Sequence, residues 1–213
     1  MKKSSHTLTT KEDVLEFWLG DAGSSAELAR KRKQLWYRSG PELDQLITER
    51  FLDLLQAASH RELDSWRASA QGCLALVILL DQFSRHIYRG QHKAFAQDEL
   101  ALEVTLDFAE HRELSFLERA FFYHPLEHSE SAQNQMLSVQ RFEQLSQDAS
   151  SEWRPMMADF FKHACEHRDI IEKFGRFPHR NAILGRASSP AERQFLEDGG
   201  ATFGQTINID NKK

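Results

Sequence analysis

An all-α fold is what this sequence predicts, and three observations carry the expectation. Apolar residues recur at three- and four-residue spacing along most of the chain. Glycine and proline, 10 and 5 among 213 residues, are too few for the turns of an all-β protein. No segment alternates apolar and polar residues as a half-buried strand does. With 40% hydrophobic residues, 15 Phe and 4 Trp, the chain is long enough to bury one core without disulfide or metal support.

The elements follow in order. Thr10 before Lys11-Glu12-Asp13 offers an N-cap, and Val14, Leu15, Phe17 and Trp18 form a first helix that Gly20 ends in the left-handed conformation. A second helical stretch, 25–38, carries Arg30, Lys31, Arg32 and Lys33, most simply a solvated face. Pro41 opens a third helix, with Leu43, Leu46, Ile47, Phe51, Leu54 and Leu55 on one stripe. After a short segment around Trp66, the run from Leu74 to Leu80 is apolar on every side, and its continuation to Arg89 before Gly90 favours a central buried helix over a strand.

Helices are expected next over about 98–111 and 115–123, the latter stopped by Pro125, and Ser129 is placed to cap the one after it. A long helix over about 152–174 sets His167 on a stripe with Phe160, Ala164, Ile171 and Phe174, and Gly175 closes it. An irregular loop follows, and Ser189-Pro190-Ala191-Glu192 forms a capping box for a last helix ending at Gly199-Gly200. The sum is about nine or ten helices in one domain over 11–204, between flexible ends 1–10 and 205–213.

Composition excludes several function classes. A net charge of −5 and a pI near 6.1 leave no basic excess for nucleic acid, whose binding requires many neutralised phosphates. The start of the chain lacks an apolar export segment, and the run from Cys73 to Leu80 is far too short to span a membrane, so a soluble, cytoplasmic protein with no membrane partner is expected. Cys73 and Cys165 lie far apart and read as buried free thiols. Oligomeric state is open, since Trp36 and Trp66 suit a dimer interface as well as a core.

Three polar clusters stand out. In Asp81-Gln82-Phe83-Ser84-Arg85, Asp81 and Arg85 are one turn apart and can pair. Asp81 and Gln82 read as structural, whereas Arg85 fits either a salt bridge or a receptor for carboxylate or phosphate. In the second cluster, His124 to His128 formally matches the H-x-x-E-H zinc-peptidase pattern, but that chemistry needs one continuous helix and Pro125 predicts a break. His128 and Glu130 there read as capping or proton-transferring groups. The third, Gly175 to Asn181, displays Arg176, His179, Arg180 and Asn181 on a turn that either receives an anion or satisfies helix-end carbonyls.

At these clusters the chain resembles the bacterial family known as domain of unknown function 924. The resemblance rests on Phe17-Trp18, Leu80-Asp81-Gln82-Phe83 with Arg85 and Arg89, Phe122-Tyr123 with Pro125 and His128-Ser129-Glu130, and Gly175-Arg176-Phe177-Pro178-His179-Arg180-Asn181 followed by Leu184-Gly185-Arg186. It runs from about Val14 to Phe203, and it implies a tetratricopeptide-repeat-like array of helices. Ser84 and His86 depart from the proline and asparagine often found in the family, without loss of a charged group. The family pattern leaves the positions of His124 and Glu127 free. The resemblance implies no activity, since fold does not fix function.

Two functional expectations result. One is a pocket for a small anionic ligand, binding or enzymatic, in which Arg85, Arg176, Arg180 and Asn181 bind and His128, Glu130, His167 or His179 transfer protons. The other is a helical-repeat module that binds a partner protein. A purely structural polar network is the third possibility. No cofactor and no metal are expected, because His128, Glu130, His167 and His179 come from separate segments whose spacing is not diagnostic.

Overall fold

A computed structural model describes residues 10–37, 40–108 and 111–203. Of the expected flexible ends, all but Thr10 lies outside the described residues. The α-helices are α1 (Lys11–Trp18), α2 (Ala26–Tyr37), α3 (Pro41–Ser59), α4 (Ala70–Val77), α5 (Ser84–Ile87), α6 (Asp98–Asp107), α7 (Phe116–Glu127), α8 (Ala132–Asp148), α9 (Arg154–Phe174) and α10 (Pro190–Glu197). A π-helical turn, Ile78–Phe83, joins α4 and α5 into one rod, and short 3-10 turns fill several of the other connections. The all-α expectation holds: no strand occurs among the described residues.

Two rods made of unusually apolar sequence form the centre. Every residue from Gly72 to Asp81 is buried, as the all-round apolar run predicts, and α4 packs against α1, α6 and α7 while α3 covers the π turn and α5. Every residue from Ala120 to Glu127 is buried as well, because α7 lies between α6, α8 and α9. Trp18, Phe51, Phe83, Phe121, Phe122 and Phe142 are the large side chains of this core. Each contributes about 1.5–3 kcal/mol by leaving water. The five-residue connection 149–153 brings α8 and α9 side by side as a hairpin.

Several of the caps read from sequence are in place. Thr10 with Asp13 and Ser189 with Glu192 both form capping boxes, and Gly20 (φ 51°) and Gly175 (φ 70°) end α1 and α9 in the left-handed region.

Several local expectations are corrected. First, α7 does not stop before Pro125 but runs through it to Glu127. The proline costs one backbone bond near the helix end, and burial of the whole last turn outweighs that loss. Second, Ser131, not Ser129, precedes α8, and the Ser129 hydroxyl instead accepts from the Ser131 amide and the Asn134 side chain. Third, the 30–33 basic cluster is not wholly a solvated face: Arg32 reaches back to the carbonyls of Glu16, Phe17 and Trp18 and satisfies the end of α1. Fourth, α6 ends at Asp107, short of the expected 111, and Cys165 is only half-buried.

Candidate functional site

The rod α4–α5, the end of α7, the middle of α9 and the 3-10 turn Pro178–Arg180 converge on one cavity of about 380 Å³. Gln82, Arg85, His86 and Arg89, spaced three and four apart, line it from one helical face. Glu127 and His128 line it from α7, His167 from α9, and His179 and Arg180 from the turn. Aromatic rings of Trp36, Phe95, Phe160 and Phe203 complete the walls. Such a volume is that of a small-metabolite pocket.

The carboxylates that hold the wall together stand behind it. Asp81, fully buried, accepts from His128 Nδ1 at 2.7 Å and pairs with Arg85 at 3.1 Å. Asp98 receives both terminal nitrogens of Arg85, at 3.1 and 3.2 Å, and one of Arg180 at 3.2 Å. Asp44 does the same for His86, at 2.8 Å, and Arg89. A two-pronged carboxylate fixes the plane of a guanidinium, so these arginines meet the cavity in set orientations. Burial works to raise the Asp81 carboxyl, but the Arg85 charge and the hydrogen bond from His128 outweigh it and hold it well below the carboxylate range. At Asp98 burial prevails and the carboxyl is raised despite Arg85 and Arg180.

Arg180 is only partly compensated. It is 6% exposed, its guanidinium lies between the Phe95 and Phe177 rings at 4.7 and 4.6 Å, and its share of Asp98 is a single contact. Its Nε has no hydrogen-bond partner among the described residues. Burial pulls its titration down to about 10, the opposite of what a well-paired arginine shows.

The imidazoles form a second group. Burial, followed by the Arg180 charge, takes His179 down to about 3, and burial takes His128 down to about 4, so both are neutral at pH 7. His124 and His128 stack at 5.6 Å, one turn apart, because α7 persists through Pro125; the helix break that argued against reading them as one face is absent. His167 Nδ1 donates to the His163 carbonyl at 2.8 Å and lies 2.9 Å from Glu127 Oε1. Single ligand atoms of Glu127, His128 and His167 lie within 4.8 Å of one another.

Of the residues singled out in the sequence, Arg85, His128, His167, His179 and Arg180 meet around this cavity with Gln82, and Asp81 buttresses them. The others lie apart from its lining. Arg176 is engaged with Glu192 at 2.7 and 2.9 Å and with the Ala187 carbonyl. Glu130 pairs with Arg186 at 2.7 and 2.9 Å and accepts the Phe177 amide, and Asn181 bonds Ser188 and Arg186. Together they tie down the segment that carries His179 and Arg180. Asp44, Asp98 and Glu127 were missed. Asp98, at the start of α6, reads in sequence only as a complement to the helix dipole.

The fold and this cavity define an all-α protein with a polar pocket built from histidines, arginines and buried carboxylates. The chain belongs to the bacterial proteins of unknown function designated DUF924, whose family profile matches residues 14–200. A solved structure of a protein of unknown function from Agrobacterium tumefaciens is 35% identical, covers 89% of this chain and 97% of its own, and superposes with a TM-score of 0.74. No curated protein matches the sequence.

Proposed function

We propose that the cavity binds a small organic anion, with Arg180 and Arg85 as the receptor and the neutral imidazoles as the wall against which the bound molecule lies. The observation that carries this reading is Arg180: a buried cation, half-shared with Arg85 for one carboxylate, with Nε unpartnered among the described residues. An incompletely paired buried charge costs several kcal/mol, and a carboxylate or phosphate in the cavity removes that cost. The bracket of Phe95 and Phe177 suits a planar guanidinium and excludes water from it.

The reading includes an enzymatic use of the pocket, in which His179 moves a proton on the bound anion. Neutral imidazoles beside a bound substrate suit general base catalysis. A cytoplasmic setting is part of the same proposal; among the described residues no helix is long and apolar enough to cross a membrane. The tetratricopeptide-like order of helices belongs to the same proposal, with the α8–α9 hairpin its best example.

A thermal-shift panel of small carboxylates and phosphate esters tests it, run beside Arg180→Gln. Arg180 is the better target than Arg85, because Asp98 keeps Arg85 when Arg180 is removed. At least one anion should raise the wild-type Tm, by about 2.7 kcal/mol of added stability at a hundredfold excess over Kd, and lose that effect in the variant. Equal shifts in wild type and variant would place the binding elsewhere.

A further inference from the structure

We propose that Glu127, His128 and His167 bind a divalent first-row transition-metal ion at the inner end of the cavity, leaving open positions toward the anion bound by Arg180. The inference deepens the anion-pocket reading and rests on it for the last clause only.

The donor set comes from two helices that pack together, α7 and α9, and one ligand atom from each residue already lies within 4.8 Å of the others. Ligands on a tetrahedral ion at about 2.0–2.1 Å stand roughly 3.4 Å apart, so a side-chain torsion adjustment closes the site. The ring centres of His128 and His167 are 5.9 Å apart. Two imidazoles sharing one ion at those bond lengths have centres roughly 5–6 Å apart.

Proton placement favours the same assignment. His128 Nδ1 faces Asp81 at 2.7 Å, and His167 Nδ1 faces two groups that only accept, the His163 carbonyl at 2.8 Å and Glu127 Oε1 at 2.9 Å. Both Nδ1 atoms therefore carry the hydrogen, and both Nε2 atoms keep a lone pair. A carboxylate behind a ligating histidine is the usual second-sphere partner of a metal site, and Asp81 occupies that place. Glu127 supplies an independent pointer. It is 3% exposed, and its Oε2 has no hydrogen-bond partner among the described residues. An anionic oxygen so placed is costly unless a cation meets it. Two imidazoles and one carboxylate suit Zn²⁺ and Fe²⁺ alike.

The test uses the full chain, freed of metal by a chelator and titrated with Co²⁺. One equivalent should bind, with the intense visible bands of a four- or five-coordinate ion and a hyperfine-shifted imidazole N–H that exchanges slowly because Asp81 holds it. Competition by Zn²⁺ and by Fe²⁺ under anaerobic conditions then ranks the two. His128→Ala and His167→Ala should each weaken Co²⁺ binding at least tenfold, while His163→Ala, a cavity residue outside the set, should leave it unchanged. Weak bands of a six-coordinate surface ion, or unchanged affinity in folded His128→Ala and His167→Ala, would overturn the proposal. Should those variants fail to fold, the wild-type spectrum decides alone. An anion-induced Tm shift that persists in chelator, with no Co²⁺ bound, would sink the metal site and leave the anion pocket standing; one-equivalent Co²⁺ binding without any anion effect would do the reverse.

Discussion

At the scale of single residues, the molecule holds an unusual number of neutral imidazoles in its interior. His179 titrates near 3, and His86 is also lowered, by burial first. An unfolded histidine takes up its proton near pH 6.5. Between that value and about 3 the unfolded chain therefore binds more protons than the folded one, so stability is full above pH 6.5 and falls as the pH drops through this window. Urea unfolding of metal-free protein at pH 7.5 and pH 5 should differ by a few kcal/mol in favour of pH 7.5. His179→Gln should flatten that slope. A pH-independent midpoint would mean that the imidazole is solvated instead of buried.

A second residue-scale prediction concerns Gln135, fully buried on α8. Its side-chain amide donates to the carbonyls of Glu127 and Ser129, at 2.6 and 2.7 Å, and closes the end of α7 beside the cavity. Gln135→Ala leaves those carbonyls without their partner and should cost about 1–3 kcal/mol, read as a Tm lower by several degrees.

At the scale of elements, the segment after α9 is held by charge pairs at its two flanks. Arg176 with Glu192 and Glu130 with Arg186 fasten it, and its middle presents His179 and Arg180. Glu192→Gln should loosen this segment without touching the core. Hydrogen exchange over residues 177–189 should rise about tenfold or more while the amides of α4 and α7 stay protected. Uniform loss of protection would instead make the segment part of the global folding unit. The rod α4–α5 makes the complementary point. Its π turn contains Asp81, and such turns recur where a helix must re-aim side chains for a site.

At the scale of the whole molecule, the main core of aromatic and aliphatic side chains carries the helices that line the cavity, and a small second cluster of Ile170, Ile171 and Phe177 lies beside the turn that bears His179 and Arg180. Phe142→Ala, deep between α7 and α9, should cost about 3–5 kcal/mol and shift the denaturant midpoint without altering the slope. How much of this was legible in the sequence depends on range. Stripes such as Ile47-Phe51-Leu55, caps such as Ser189-Glu192 and the buried run after Cys73 are local patterns, and the structure has them where spacing placed them. Pro125 misled because the local penalty is small beside the burial of its neighbours on three sides. In the site, Arg85, His128, His167, His179 and Arg180 stood out by their residue type and setting. Asp98 and Asp44 did not, because a carboxylate that serves an arginine dozens of residues away carries no local mark. Glu127 carried no site role in the sequence, where the family pattern leaves its position free and its partner His167 lies one long helix and two loops further on.

Arg180 as an anion receptor facing the cavity is tested by observing that group itself. In ¹⁵N-labelled protein, the Arg180 Nε–H resonance, assigned by its loss in Arg180→Gln, is followed while an anion that raises the Tm is added. If Arg180 receives the anion, that resonance shifts saturably, with the same Kd as the thermal effect. An Arg180 signal that stays still while the anion stabilises the protein would contradict that role.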